Sequence, residues 1–343
     1  MNIYRSLTEL PINFPASVAT IGNFDGVHRG HQGVIAEVVA RARALNCASL
    51  ALTFDPHPAR VLRPAFSQPL ITPLAQKLEL LAATGIENVA VLPFTELFSK
   101  MTARAFATEI LRDTFHIREL HEGENFRFGY QAEAGIDSLE ALGAELGFKV
   151  CIYSPRLLRA TSLASGAISS SRIRQSIAAG NVSQARALLG RPFDIESTPA
   201  SGRGYGTRYT VPTINLAPYA ELLPANGVYV TTMTIGTGPS AETFNAVTNI
   251  GNRPTFADEF AENPTTVESH LLNFHPIDLH QDTPLKLTFL KRLRPEVRWP
   301  NPEALREQIG RDVRQANRFF SLCRVVALKP RSGHPQPAGQ PQA

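Results

Sequence analysis

The sequence predicts an α/β protein in two parts: a parallel sheet covered by helices, then an antiparallel β-barrel or sandwich with a terminal helix. Three observations carry this. Up to about residue 180, short apolar runs alternate with segments of helical period, the pattern of parallel strands joined by right-handed crossovers. Beyond Arg191-Pro192 the helical period fades, and apolar runs are separated by Gly, Pro and Asn, as in antiparallel all-β structure. The chain has 343 residues, 43% of them hydrophobic, enough for two cores.

The elements follow in order. Val18 to Ile21 is a short apolar run, read as a buried strand. Val34, Ile35, Val38, Val39, Ala42 and Leu45 recur at helical spacing. Ser49 to Phe54 is a second strand, ended by Asp55-Pro56-His57-Pro58, whose prolines stiffen the turn. A helix over Leu74 to Ala83 closes at Gly85, and a third strand covers Asn88 to Leu92. Ala103 to Arg112 reads as a helix and Ile117 to Leu120 as a fourth strand. A helix over Ser138 to Leu146 closes at Gly147, before a fifth strand at Lys149 to Tyr153. Ser169 to Ala178 and Ser183 to Leu189 are two helices split by Gly180-Asn181. The later strands are Val228 to Ile235, Thr243 to Ile250, Thr265 to Phe274 and Pro284 to Leu290. Asn301 is a good N-cap for a last helix, Pro302 to Phe320, with Pro at its first position. We expect domains at 1–180 and 181–328 and a disordered tail at 329–343, where Pro, Gly and Gln dominate.

Composition narrows the function classes. The net charge is +4, mildly basic and compatible with anionic small substrates. Lys291, Arg292 and Arg294 form the densest basic cluster, too short for a nucleic-acid-binding element. Cys47, Cys151 and Cys323 are far apart, against a disulfide framework or a CxxC metal site. No basic-then-apolar leader and no span of about 20 apolar residues is present, so the expectation is a cytoplasmic protein without membrane contact.

The stretch Thr20 to His31 reads TIGNFDGVHRGH, with Gly22, Gly26 and Gly30 every fourth residue. It follows the first strand, at the carboxyl end where open sheets bind ligands. Glycines admit a phosphate to the backbone, and a helix N-terminus offers free N–H groups and the positive end of a dipole. His28 and His31 are three apart and would share one face of a first helical turn. There they could donate hydrogen bonds to phosphates as charge develops. A turn with two exposed histidines is the plainer reading. Zinc would need a third ligand, and none has usable spacing.

A second stretch, 202–215, reads GRGYGTRYTVPTIN. Its glycines make a basic loop suited to covering phosphates. Thr213 and Asn215 are two apart, so on a strand they face one side, where a hydroxyl and an amide oxygen can help to hold hydrated Mg²⁺. A surface loop is the plainer reading here, as a solvated strand residue is for Glu268.

These residues carry a resemblance. GNFDGVHRGH looks like the HxGH-bearing motif of the nucleotidylyltransferase superfamily in the form found in prokaryotic FAD synthetases. TFDPHP (Thr53 to Pro58), EGENFRFG (Glu122 to Gly129) and ISSSRIR (Ile168 to Arg174) resemble three further signatures, in the same order. The PTIN stretch resembles the PTxN signature of riboflavin kinases, supported by Asn226 to Tyr229, Asn249 to Thr255 and TTVESHLLNF at Thr265 to Phe274. Together they span about residues 15 to 325 and match the bifunctional riboflavin kinase/FMN adenylyltransferase family.

The resemblance implies a Rossmann-like nucleotidylyltransferase domain and a riboflavin kinase barrel. The implied reactions are phosphorylation of riboflavin to FMN by ATP, then adenylylation of FMN to FAD with release of pyrophosphate. Mg²⁺ is expected at both centres, with ATP as co-substrate. It implies that His28 and His31 stabilise the transferring adenylyl group. Gly22, Asn23, Phe24 and Gly30 would contact ATP, with Ser170, Ser171 and Arg172 on its β- and γ-phosphates. Asn125, Phe126 and Arg127 would line the flavin side. In the kinase, Gly204, Gly206 and Arg208 would cover ATP, Thr213 and Asn215 would hold the metal, and Glu268 would be the general base. Riboflavin, FMN, FAD and ATP are then the partners, with no nucleic acid or membrane; a homo-oligomer is allowed but not required. The chain departs from the family pattern at Asn125, where Asp is common, and at Thr95, Thr207, Thr210 and His280-Gln281. The loss of charge at Asn125 weakens any charge-dependent role there.

Overall fold

The computed structural model describes residues 1–153, 167–200, 213–252, 265–297 and 299–328. Its first compact unit comprises Met1–Ile195 with Tyr219–Ala225; the second comprises Glu196–Pro218 and the chain from Asn226 onward.

Strands β1 (Asn2–Tyr4), β2 (Ser17–Ile21), β3 (Ala48–Asp55), β4 (Asn88–Pro93), β5 (Ile117–Gly123) and β6 (Lys149–Tyr153) form one parallel sheet ordered β1-β4-β3-β2-β5-β6. All five residues of β2 are buried, because alternate residues feed two different cores. Ala19, Leu50, Leu52, Ala90 and Leu92 pack on one face, Val18, Ala51, Val89 and Val91 on the other. Helices α1 (Arg29–Leu45), α2 (Pro58–Leu62) and α3 (Leu74–Ala82) follow β2 and β3, and α1 and α3 cover the second face. The short helices α4 (Glu96–Ser99) and α5 (Ala103–Ala105) follow β4. The segment predicted as an α-helix over 103–112 passes from α5 into a π-helix, Phe106–Thr114, which buries Phe106, Ala107, Ile110 and Leu111 on the first face. Helix α6 (Ile136–Leu146) completes that cover. Strand β1 has no apolar signature and was invisible in the sequence; it is held at the sheet edge by pairing with β4.

Helices α7 (Ser170–Ala178) and α8 (Val182–Leu189) follow the sheet. Ser169, predicted inside α7, is its N-cap: its side chain accepts from the Arg172 N–H. The second sheet consists of β7 (Phe193–Ser197), whose first residues belong to the first unit, β8 (Thr213–Asn215), β9 (Gly227–Ile235), β10 (Glu242–Asn252), β11 (Thr265–Leu271) and β12 (Leu285–Pro295), ordered β7-β12-β9-β10-β11-β8. The ladders β12/β9, β9/β10, β10/β11 and β11/β8 are antiparallel. Just beyond β7 and β8 the two ends of this sheet meet. Ala200 N–H donates to Asn215 O (2.8 Å) and Ala217 N–H to Thr198 O (2.8 Å), with a bridge between Pro199 and Leu216. The sheet therefore curls on itself and satisfies edges that would otherwise stay open. One face carries a buried row of hydroxyls, Thr231, Thr248 and Ser269, bonded at 2.7 and 3.0 Å. The other carries Val228, Val230 and Val247, packed by Val313, Ala316, Phe319 and Phe320 of α9 (Pro302–Leu328). Strand β11 ends at Leu271, three residues short of the predicted Phe274.

Candidate functional sites

The first site forms where the parallel strand order reverses, between β2 and β5, the position at which open sheets accept ligands. The β2–β5 ladder stops at Ala19 and Leu120. Beyond it, the buried Glu122 carboxylate takes over and accepts the Ile21 N–H at 2.6 Å. Burial pushes the pKa of Glu122 well above the usual carboxylate value, against the hydrogen bonds from Ile21 and Thr20.

From this opening the chain passes through the glycine stretch under strain. Phe24, Gly26 and Val27 all have positive φ (47°, 85° and 36°); for a β-branched valine that is a rare conformation. Hydrogen bonds over-determine it. Asp25, 3% exposed, accepts from the Ile71 and Thr72 N–H groups and from the Arg174 guanidinium at 2.7 Å. The Gly26 N–H donates to Thr72 Oγ1 (3.0 Å), and Arg191 donates to Gly26 O (2.8 Å).

His28 is the N-cap of α1 rather than a member of its first turn: its Nδ1 accepts from the His31 N–H at 3.3 Å. Since Nδ1 accepts, the neutral ring carries its proton on Nε2. The two imidazoles stack, 3.6 Å between centroids and 15° between planes, and Phe24 meets His31 edge-on at 5.2 Å. Burial lowers the His28 pKa to about 4, opposed by a backbone hydrogen bond and aided by the Arg191 charge. Burial, then the charges of His28 and Lys77, hold His31 well below the ordinary histidine value. Its Nδ1 is buried without a hydrogen-bond partner among the described residues. Both rings are therefore neutral donors at neutral pH, and an arriving phosphate raises their proton affinity.

This predicts an acid-side stability loss. The unfolded His28 titrates near 6.5 and the folded one near 4, so between these values the unfolded chain binds more protons. Stability is complete above about pH 6.5 and falls with pH towards 4, at about 1.4 kcal/mol per pH unit for one such group. We expect the unfolding midpoint to drop across this window, and the slope to flatten in His28→Ala. Identical slopes in both proteins would reject the assignment.

The predicted phosphate residues divide. Ser170 Oγ donates to Asp25 O at 2.8 Å, so Ser170 braces the glycine loop. The half-buried Arg172 reaches Ala167 O at 3.4 Å, and no contact joins it to the histidines among the described residues. Arg174, two residues on, makes the buried bond to Asp25; the sequence reading passed over it, although it lies in the same ISSSRIR stretch. Gly22 and Asn23 line a cavity of about 1000 Å³, together with Asn125, Phe126 and Arg127. Its wall is aromatic: Phe54, Phe94, Phe98, Phe106 and Phe128 also line it, with Phe126 stacked on Phe128 at 5.5 Å and Phe54 edge-on to Phe94 at 5.6 Å. Of this wall only Phe126 was singled out in the sequence. Gly30 lies against the His28 ring, where a β-carbon would come within 3.1 Å.

The second site is a row across the antiparallel sheet. Asn215 on β8 pairs with Glu268 on β11, which pairs with Asn249 on β10, which pairs with Val228 on β9. Directly paired residues share a face, so Asn215, Glu268 and Asn249 lie together on the face that carries Val228. Thr213 pairs with His270 on the same face, with Oγ1 3.2 Å from His270 Nδ1. Between them Ile214 and Ser269 turn to the other face and are buried. Asn215 Oδ1 is buried and accepts no hydrogen bond among the described residues. An orphaned amide oxygen beside a hydroxyl is a hard-oxygen pair that fits Mg²⁺. The remaining expected ATP-covering residues, Gly204, Gly206 and Arg208, lie outside the described residues, as do Thr207, Thr210 and the tail.

A parallel sheet with a histidine pair at its switch point, followed by an antiparallel barrel bearing a Thr/Asn/Glu row, defines a two-module phosphate-chemistry enzyme. Residues 11–172 match the family model for FAD synthetase, and residues 189–320 that for riboflavin kinase. The bifunctional riboflavin kinase/FMN adenylyltransferase of Pseudomonas fluorescens is 33% identical over 92% of this chain and 97% of its own length. The enzyme of the same name from Escherichia coli K12 is 32% identical over 89% and 93%. A crystal structure of a macrolide-efflux protein from Streptococcus pneumoniae aligns with a TM-score of 0.75, covering 92% of this chain and 98% of that one. At 24% identity that likeness concerns the fold alone. The chain belongs to the bifunctional riboflavin kinase/FMN adenylyltransferase family.

Proposed function

We propose that this chain phosphorylates riboflavin to FMN in its second unit and adenylylates FMN in its first, with domains at about 1–180 and 181–328. The observation that carries the reading is the coexistence of two centres on one chain. One is the stacked His28–His31 pair, on a glycine loop whose Gly22 and Asn23 line an aromatic cavity of about 1000 Å³; the other is the Asn215–Glu268 register pair.

In adenylylation, a phosphate oxygen of FMN attacks the α-phosphorus of ATP. A P–O bond forms, the bond to the bridging oxygen breaks, and pyrophosphate leaves. The aromatic wall holds the isoalloxazine ring, with Asn125 and Arg127 at its edge. The protonated Nε2 of His28 and the His31 ring donate to the α-phosphate as its charge grows, and positioning with electrostatic stabilisation is sufficient for such a transfer. Gly22, Asn23, Phe24 and Gly30 present the loop backbone to ATP, and Ser170 holds that loop in place. Ser171 and Arg172 remain assigned to the β- and γ-phosphates.

In phosphorylation, Glu268 accepts the proton of the riboflavin hydroxyl as its oxygen attacks the γ-phosphorus and ADP leaves. Thr213 and Asn215 would hold Mg²⁺ there; the ion supplies charge neutralisation on the phosphates when bound. The absence of a helix long and apolar enough to cross a membrane, among the described residues, is compatible with a cytoplasmic setting for both reactions.

The test uses the purified full chain with riboflavin, ATP and Mg²⁺, the flavins being separated by chromatography. FMN and FAD should appear in succession. Absence of FMN would reject the kinase reading, and FMN accumulating without FAD would reject the adenylyltransferase reading.

A further inference from the structure

Lys77 is the least explained charge in the first unit. It lies on the inward face of α3, on the apolar stripe of Leu74, Leu78 and Leu81, and is 6% exposed. Its Nζ donates to Asn23 O at 3.2 Å and to Thr53 Oγ1 at 3.1 Å, both neutral acceptors. No carboxylate lies within ion-pair distance among the described residues. Asp25 is the nearest buried acid acting on it, and that carboxylate is committed to Arg174 and two backbone N–H groups. Asp55 also acts on it but is exposed, where water screens it. A buried ammonium with only neutral hydrogen-bond partners is costly, and among the described residues two of its three N–H groups are committed.

Its position indicates what completes it. Lys77 lines a narrow recess with Asn23, Asp25, Asp55, His57 and Thr72, whose apolar side is Phe54, Leu70 and Leu74. The recess shares Asn23 and Phe54 with the aromatic cavity. A volume of about 10 Å³ admits one oxygen-sized group, so a phosphate seated at the mouth would insert a single oxygen. A flavin ring in the cavity would carry its ribityl phosphate towards that mouth.

We propose that Lys77 is a binding residue for the terminal phosphate of the flavin substrate, distinguishing a phosphorylated flavin from an unphosphorylated one. This rests on reading the first unit as the adenylyltransferase. The ammonium meets the phosphate dianion in a site from which water is largely excluded, where a charge-assisted hydrogen bond is strongest. It also spares the histidines for the α-phosphate of ATP, since the attacking phosphate has its own cation.

The test compares wild type with Lys77→Met and Lys77→Gln in the full chain; the glutamine can keep a neutral donor to Asn23. Three quantities are read: the KM for FMN in FAD formation, the Ki of lumiflavin against FMN, and the rate of riboflavin phosphorylation. Lumiflavin has the ring but neither ribityl chain nor phosphate, so it reports the aromatic cavity alone. The KM for FMN should rise by roughly 10–100-fold, as expected for losing a hydrogen bond to a charged group, while the lumiflavin Ki and the kinase rate stay within about twofold. If KM and Ki rise together, or neither moves, or only kcat changes, Lys77 has no phosphate-binding role. If wild type makes no FAD from supplied FMN, the adenylyltransferase reading itself fails, and that control separates the two failures.

Discussion

Replacing His28 or His31 by alanine should abolish FAD formation from supplied FMN and leave phosphorylation of riboflavin intact. Each ring is buried enough to be neutral, and each can give one N–H to a phosphate whose charge grows during transfer. Losing one such donor in a site of low dielectric costs on the order of 10²–10³-fold in kcat. The two losses should be non-additive, because the rings act as a stacked pair 3.6 Å apart and His28 Nδ1 holds the His31 N–H; residues that act as a unit lose most of their effect in the first deletion. FMN production by the same preparation certifies the second unit, and an unchanged circular dichroism spectrum and unfolding midpoint would certify the first. FAD formation persisting in the double variant would remove both histidines from the mechanism.

For Glu268→Ala the expected outcome is the reverse. FMN formation from riboflavin should fall by roughly 10²–10⁴-fold, the range for loss of a positioned general base, while FAD formation from supplied FMN continues. Glu268→Gln keeps the shape and the hydrogen-bonding capacity of the side chain but accepts no proton at neutral pH, so it should be as inactive as the alanine variant. If the glutamine variant retains most of the kinase activity, Glu268 positions the substrate and another group takes the proton. Steady-state rates for both reactions, measured on one preparation of each variant, decide the matter.

Much of the fold was legible because burial on two faces leaves a continuous apolar run, and the central strands β2, β3 and β4 each show one. Val18 to Ile21 and Ser49 to Phe54 read as strands for this reason. Edge elements without that signature did not: β1 is exposed or half-buried throughout and exists only because β4 offers it a ladder. The π-helical course of Phe106–Thr114 was equally hidden, since one inserted residue per turn leaves the apolar spacing close to helical. The candidate sites follow the same division. Gly22 to His31 announced itself by glycine spacing and a histidine pair. Lys77 offered a quieter signal, a charge on an apolar helical stripe. The pairing of Asp25 with Arg174 had no local signal, the two being 149 residues apart.

By itself, then, the chain determined which chemistries were on hand: two histidines at a strand-to-helix junction, a serine cluster, and a Thr and an Asn on one strand with a Glu on another. Periodicity and glycine placement depend only on neighbours in sequence, so they can be read without a fold. Tertiary structure alone decided how those groups work. Burial at the start of α1, aided by the charges of Arg191 and Lys77, depresses the histidines into neutral donors. The register of β8 against β11 puts Asn215 opposite Glu268. Packing of α3 beneath the glycine loop brings a lysine to Asn23 O. Desolvation and long-range pairing are properties of the space between segments, and no local pattern encodes them.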